Sequence, residues 1–343
     1  MNQRRGVIVG VDVGGTKVLA GVVNSRGRVV DVAHRTTPGR RVNPEMVEEA
    51  VVAAVLDVAG DRPLRGVGIA AAGFVDAENE RVMFAPHLPW QGEKVRAGFA
   101  QRLGVPVVLD NDANCAAVAE WAYGAARGAD SALMVTLGTG IGGAILLGGR
   151  VLRGINGTAG EFGHMQVVPD GRSCECGGQG CWEEYCSGSA LVRYAREMLG
   201  QGPTMLEELC GGSPDQLTGP MVTEAAAAGD LAARHAFATV GTWLGVGAAN
   251  LAAALDPEKI VVGGGVVDAG ERLLAPARIA LGQSLVGTGH RVLPELVAAQ
   301  LGPQAGLVGA AVLVRRQLLR RERSGLRPGR RRPKDRGARW AWR

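Results

Sequence analysis

Glu161-Phe-Gly-His164 is followed, after nine residues, by Cys174-Glu-Cys176-Gly-Gly-Gln-Gly-Cys181-Trp-Glu183, which sets one imidazole and three thiols among carboxylates. Three thiolates and a neutral imidazole form a closed tetrahedral ligand set for structural zinc. The glycines between the thiols let a short loop fold back around one ion without Cβ clashes. Glu161 and Glu183 flank the ligands, so a metal that orders this loop also fixes two carboxylates, as a polar small-molecule site requires. The same thiols could instead pair as disulfides, because four of the six cysteines (Cys174, Cys176, Cys181, Cys186) fall within thirteen residues. Cys186 could also replace one of the three thiols. Cys115 and Cys210 are isolated, and a chain this long needs no staples, which favours zinc in a reducing compartment.

Glycine turns form the second chemical feature. In Asp12-Val-Gly14-Gly15-Thr16-Lys17 an acid ends an apolar run, and the backbone N–H groups of Gly14, Gly15 and Thr16 can cradle phosphate oxygens. Asp12 can hold Mg2+ through water. An ordinary hairpin would use the same residues. Gly138-Thr139-Gly140-Ile-Gly-Gly143 matches G-x-G-x-x-G, but the dinucleotide fingerprint must open a helix. Here Ala-Ile-Leu-Leu-Gly-Gly follows, too short for one, so a Rossmann site is rejected; no P-loop motif exists either. Gly263-Gly264-Gly265 offers a third backbone surface, and the three together suit a nucleotide polyphosphate and its adenosine. In Asn111-Asp112-Ala-Asn114, Asp112 stands where a strand gives way to a helix. That position suits an N-cap. It also favours the ionised carboxylate that a general base toward an alcohol needs.

Apolar periodicity supplies the elements that would position these groups. Strands are expected at 7–13, 16–23, 27–32, 67–71 and 105–109, with helices at 44–59, 92–103 and 113–123. The scheme then restarts: strands at 132–137 and 144–147 around the second glycine turn, a long helix at 231–254, a strand at 259–262, and helices from about 270 and over 305–319. A strand–glycine turn–strand unit opening each half predicts a duplicated α/β architecture with a cleft between the halves, where ligands meet strand carboxyl ends.

At 343 residues the chain exceeds one compact core and is expected to divide into two domains. With 4% aromatic residues, that core must come from Val, Leu, Ile and Ala. The net charge of +5 belongs to the terminus: residues 320–343 alone carry +9, leaving −4 for residues 1–319. Such a basic arm can attract nucleic acid or polyphosphate. No groove-reading motif accompanies it, so a solvated, disordered terminus without a specific nucleic-acid partner is expected. No signal peptide and no run of about 18 uncharged apolar residues is expected, which predicts a cytoplasmic protein without a membrane partner.

Together these motifs resemble those of the ROK family of sugar kinases, and within it the bacterial glucokinases, from about residue 6 to 320. The resemblance implies a duplicated actin-like ATPase (ribonuclease H-like) α/β fold. Its small domain would be 1–117 plus 304–320, and its large domain 118–303 with a zinc loop at 161–186, leaving a basic, disordered tail at 321–343. It implies ATP-dependent phosphorylation of a hexose 6-hydroxyl, foremost that of D-glucose. Polyphosphate as donor, or mannose, fructose or an N-acetylhexosamine as acceptor, are the alternatives. Asp112 would be the base, and Gly73, Asn111, Asp112, Glu161, His164 and Glu183 would bind sugar. Asp12, Gly14, Gly15, Thr16, Lys17, Gly138, Thr139 and Gly140 would serve the ATP phosphates and Mg2+, with Gly263, Gly264 and Gly265 toward the adenosine. His164, Cys174, Cys176 and Cys181 match the family's zinc ligands, and a homo-oligomer, dimer or tetramer, is implied. Regulators of the same family carry an N-terminal helix-turn-helix domain; six residues precede the first strand here, so an enzyme is expected. A sugar-binding module without activity would lack the base or the phosphate loops, and this chain has both. Two positions depart from the family pattern: Ala72 stands where proline is usual, and His87 where an asparagine could touch a sugar hydroxyl.

Overall fold

The computed structural model describes residues 6–324. The first sheet contains β1 (Val7–Val13), β2 (Lys17–Val23), β3 (Val29–Thr36), β4 (Leu64–Ala71) and β7 (Val107–Asn111), in the order β3-β2-β1-β4-β7. β1 pairs antiparallel with β2, and β2 with β3, while β1–β4 and β4–β7 run parallel. The second sheet repeats this plan with β8 (Ser131–Leu137), β9 (Ile141–Leu147), β10 (Arg150–Leu152), β11 (Lys259–Gly263) and β12 (Glu295–Ala298), in the order β10-β9-β8-β11-β12. Again two antiparallel pairings are followed by two parallel ones. The duplication expected from the two glycine turns is therefore present strand for strand. A small hairpin of β5 (Phe74–Val75) and β6 (Val82–Phe84) sits beside the first sheet.

Helices cover both faces of each sheet. α1 (Pro44–Ala59) is capped by the Asn43 side chain, begins with proline, and buries its Val stripe against β2 and β3. α2 (Val95–Leu103) packs beside β7. Between the two sheets lie α3 (Asp112–Tyr123) and α9 (Ala305–Arg323), packed on each other. Small residues set the approach of α9 to both neighbours: a Cβ on Gly10 of β1 would lie 1.8 Å from the Leu307 carbonyl oxygen, and one on Gly309 would lie 1.7 Å from that of Cys115 in α3. The outer face of the second sheet carries α4 (Gly188–Glu197), α5 (Met205–Leu209), α6 (Gly219–Ala228), α7 (Leu231–Leu255) and α8 (Glu271–Ser284).

Three expectations need correction. First, α7 includes residues 236–255 without a single charge, so a run longer than 18 uncharged residues does exist, and the helix is long and apolar enough to cross a membrane by length and composition. Half of that window is buried inside the fold. A Cβ on Gly245 would lie 2.3 Å from the Ala277 carbonyl oxygen of α8, so the run is apolar because it crosses a core. Second, α9 continues to Arg323, past the expected start of the basic tail at 321, and Glu322 pairs with Arg65 of β4 at 2.9 Å. Residues 325–343 of that tail lie outside the described residues. Third, β7 is displaced by two residues from the expected 105–109, making Asn111 its last residue and Asp112 the first of α3.

Candidate active site

Asp112 opens the helix but does not cap it; the cap is Asn111, whose side chain accepts from Asn114 N–H at 3.1 Å. Asp112 Oδ1 accepts from Ala113 N–H at 2.9 Å and from Asn111 Nδ2 at 3.0 Å, while Oδ2 has no partner among the described residues. The second hydrogen of Asn111 Nδ2 goes to the Gly73 carbonyl at 3.0 Å. Asn111 and Gly73 thus orient the carboxylate, and both Asn111 amide hydrogens are occupied in doing so. Gly73 must be glycine, with φ +128° and a Cβ that would lie 2.5 Å from the Phe84 carbonyl oxygen.

Asp12 and Glu161 stand within the electrostatic field of Asp112. Burial, reinforced by the Asp112 charge, pushes Asp12 up to about 7, against a smaller opposing effect from Lys17. Burial, then the charges of Asp112 and Glu183, pushes Glu161 up to about 7. Asp112 itself is raised by burial, partly offset by its hydrogen bonds. Like charges drawn together away from water leave a site suited to a cation and to hydroxyl donors. The Glu161 carboxylate has no hydrogen-bond partner among the described residues, although the residue is half-buried.

The loop carrying His164 and the thiols is held from both ends. Trp182 is fully buried and donates from its indole to the Trp243 carbonyl of α7 at 2.8 Å. The Tyr185 hydroxyl accepts from Arg172 N–H at 2.8 Å. Gly180 turns the loop at φ +71°, where a Cβ would lie 1.7 Å from the Val168 carbonyl oxygen. The result gathers one ligand atom each from His164, Cys174, Cys176 and Cys181 within 4.8 Å of one another. Cys174 Sγ lies 3.7 Å from His164 Nδ1, and Cys176 Sγ lies 3.6 Å from Cys181 Sγ. A tetrahedron with Zn–S bonds of about 2.3 Å has edges of about 3.7 Å, so these atoms fit one zinc ion. All six cysteines are free, as metal binding requires, and Cys186 is fully buried among apolar side chains apart from the quartet.

Glu183 joins this loop to the second glycine turn. Its Oε1 accepts from Cys174 Sγ at 3.2 Å and lies 3.3 Å from His164 Nδ1; its Oε2 accepts from Ile141 N–H at 3.2 Å. The carbonyls of Gly138 and Thr139 are taken by Gly188 N–H at 2.7 Å and Ser189 Oγ at 2.8 Å, where α4 begins. The N–H groups of Thr139 and Gly140 are left without a protein partner among the described residues, as are those of Gly15 and Thr16 in the first turn. Both turns are therefore hairpins with outward-facing donors, which reconciles the two readings of them. The side chains of Thr16 and Lys17 are exposed. His87 lies over the first turn, with its Cβ 2.5 Å from where a Cβ on Gly15 would stand. The departure at position 87 thus sits against the first glycine turn.

Between the sheets opens a cleft of about 340 Å³, lined by Asp12, Asp112, Thr136, Gly263–Gly265, Gly302 and Gly306. Its lining holds three carboxylates, those of Asp12, Asp112 and Asp268, and no Lys, Arg or His. Gly306 lets α9 approach Asp12, since a Cβ there would lie 2.8 Å from its Oδ2. The first glycine turn does not line this cleft; the third glycine run does.

Sequence reasoning missed Asp110 and Arg153. Asp110 is 1% exposed, accepts from Asn114 Nδ2 at 3.0 Å and is bonded by Arg153 Nη2. Arg153 follows β10 and leads into the segment that ends at Glu161, so this ion pair ties the second sheet to the residue next to Asn111. The partners lie 43 positions apart in sequence, and an Asp beside a more obvious one is the sole local hint. Replacing Arg153 with Ala leaves the Asp110 charge buried and short of a partner. The expected cost is about 3–5 kcal/mol in chemical denaturation.

The ROK family model matches residues 8–317. A glucokinase of Streptomyces coelicolor is 42% identical over 313 residues, spanning 90% of this chain and 98% of that protein. The crystal structure of a ROK family glucokinase from Streptomyces griseus, in complex with glucose and AMPPNP, aligns with a TM-score of 0.82 at 45% identity, covering 91% of this chain and all of that one. A ROK hexokinase from Thermus thermophilus aligns with a TM-score of 0.71 at 34% identity, over 92% of this chain and 99% of that one. With the paired sheets, the carboxylate cluster and these likenesses all extending over the same residues, the chain belongs to the ROK family and has its actin-like ATPase fold.

Proposed function

We propose that this protein is a glucokinase that transfers the terminal phosphoryl group of ATP to the 6-hydroxyl of D-glucose. The observation that carries the reading is the carboxylate cluster. Asp112 presents an unpartnered oxygen at the joint of the two sheets, with Glu161 on one side and a nucleotide-sized cleft on the other. Glucokinases 42% and 36% identical to this chain support the enzyme class, and the glucose and AMPPNP of the Streptomyces griseus protein support the substrate pair. A donor cleft lined by acids and free of basic side chains suits a nucleotide better than a bare polyphosphate chain.

In this reading Asp112 Oδ2 accepts the proton of the 6-hydroxyl, held in line by Asn111 and Gly73. Glu161 and Glu183 accept hydrogen bonds from sugar hydroxyls, and His164 offers Nε2 to another. The free N–H groups of Gly15, Thr16, Thr139 and Gly140 hold phosphate oxygens, and Gly263–Gly265 form the wall beside the nucleoside. Asp12 would hold Mg2+, whose charge offsets that of the phosphates; transfer of this kind depends mainly on positioning and charge neutralisation. His164 Nδ1 with Cys174, Cys176 and Cys181 would hold zinc, which braces the loop that carries Glu183. One sheet in each half supports two domains, with the expected limits at 117 and 320 falling inside α3 and α9, and closure of the halves over sugar would exclude competing water. A cytoplasmic setting suits the free thiols and the ATP. Exposed Leu231 (80%) and Ile279 (61%) offer apolar surface for a homo-oligomer.

The test is a coupled assay over a panel of hexoses with Mg2+ and either ATP or polyphosphate. Glucose with ATP is expected to give the highest kcat/KM. Sugar phosphate formation from none of the hexoses would overturn the proposal.

A further inference from the structure

We propose that Glu120 is a positioning residue for the phosphoryl donor: it fixes the turn that floors the cleft to the helix that begins with Asp112. Glu120 is 0% exposed and lies near the end of α3. Its Oε1 accepts from Gln300 N–H at 2.9 Å and Leu301 N–H at 2.8 Å, while its Oε2 accepts from Ala125 N–H at 2.8 Å. No ion pair involves it among the described residues, so backbone donors alone satisfy a fully buried carboxylate. Such bonds to a charged acceptor are strong and directional. Gly124 makes the space, since a Cβ there would lie 2.0 Å from Glu120 Oε2.

The clamped turn is the one that matters to the cleft. Gln300 and Leu301 join β12 to α9, and the residues on either side of them, Ala299, Gly302 and Pro303, line the cleft. α9 then brings Gly306 onto Asp12. Asp112 and Glu120 are eight residues apart on one helix, a rise of about 12 Å. One rigid element therefore carries the base at its first turn and the donor floor near its last. Removing the clamp frees the floor while the base keeps its own contacts to Asn111 and Ala113.

This inference rests on reading that cleft as the donor site, and the experiment separates the two. Steady-state kinetics and thermal midpoints are measured on the full-length Glu120→Gln and Glu120→Asp enzymes, with Gly265→Leu as the probe of the cleft itself. Gly265 lines the cleft and a Cβ on it meets nothing within 4 Å, so a side chain there starts in open space, and the variant's thermal midpoint reports whether the fold is kept. The amide of Gln has one acceptor oxygen for three donors, and Asp is one methylene short. Both variants are expected to raise KM for ATP about tenfold, with KM for glucose and kcat within about threefold of wild type. An unchanged KM for ATP in Gly265→Leu sinks the cleft assignment. A raised KM in Gly265→Leu with wild-type KM for ATP in both Glu120 variants, whatever their thermal midpoints, overturns the role of Glu120. Should one variant not fold, the other is read; if neither folds, Glu120 is a folding determinant and the inference is overturned.

Discussion

Asp112→Asn lowers kcat by at least about 10²-fold, the range for losing a general base, and leaves the thermal midpoint at or above that of wild type. The substitution keeps the side-chain volume and can keep the bond from Asn111 Nδ2 to Oδ1. What it removes is the acceptor at Oδ2 and a buried charge that the fold holds at a cost, as its raised proton affinity records. Activity and stability should therefore move in opposite directions, a signature that misfolding cannot mimic. Turnover within tenfold of wild type in the folded variant would take Asp112 out of the mechanism. The pH profile of the wild-type enzyme provides a second arm. Glu161, pushed up to about 7, gains a proton as the pH falls through that value, and the raised Asp112 does so above the usual carboxylate range. kcat/KM for glucose should fall on the acid side near pH 7 rather than near the value of about 4 of an exposed acid. Stability runs the other way: the folded state binds these protons more tightly, so their contribution is lost as the pH rises toward 7.

Cys176→Ser abolishes zinc binding, raises KM for glucose at least about tenfold and lowers the thermal midpoint. Cys176 is the informative ligand because it is exposed and packs in no core, unlike Cys174, Cys181 and Cys186. Serine there costs almost nothing unless the sulfur holds a metal. Without the ion, Cys176 and Cys181 no longer share a partner, and the glycine-rich segment between them loses its closure. The disturbance passes to Glu183, which contacts Cys174, His164 and Ile141. Metal analysis of the purified protein should give about one zinc per chain in wild type and none in the variant. Wild-type metal content and kinetics in Cys176→Ser would dismiss the zinc site.

What the sequence revealed follows from the range of the interactions involved. The glycine turns, the His164–Cys181 quartet and the strand-to-helix step at Asn111-Asp112 are each local in sequence, and each is present, the last with Asn111 as the cap in place of Asp112. β10 and β12 have only three and four residues, too short for a hydrophobic period to register. α4, α5 and α6 fall within residues 188–228, where short helices of ten, five and ten residues are separated by Gly- and Pro-containing turns. The features that hold the site together were the least legible. Arg153 reaches Asp110 across 43 positions, and Glu120 reaches Gln300 across 180; a side chain's long-range partner leaves no local pattern. Nor could the sequence tell that His87 would pack against the first glycine turn.

The uncharged run in α7 affects how the chain must be made. Its 20 residues, 236–255, make about 30 Å of apolar helix, long enough to span a lipid bilayer. Its chief packing partner, α8, is synthesised only afterwards. For that interval the nascent protein displays what targeting factors and aggregating neighbours recognise. Synthesis at a pace that lets α8 dock promptly, or chaperone cover until it does, is thus built into the requirements of the native state.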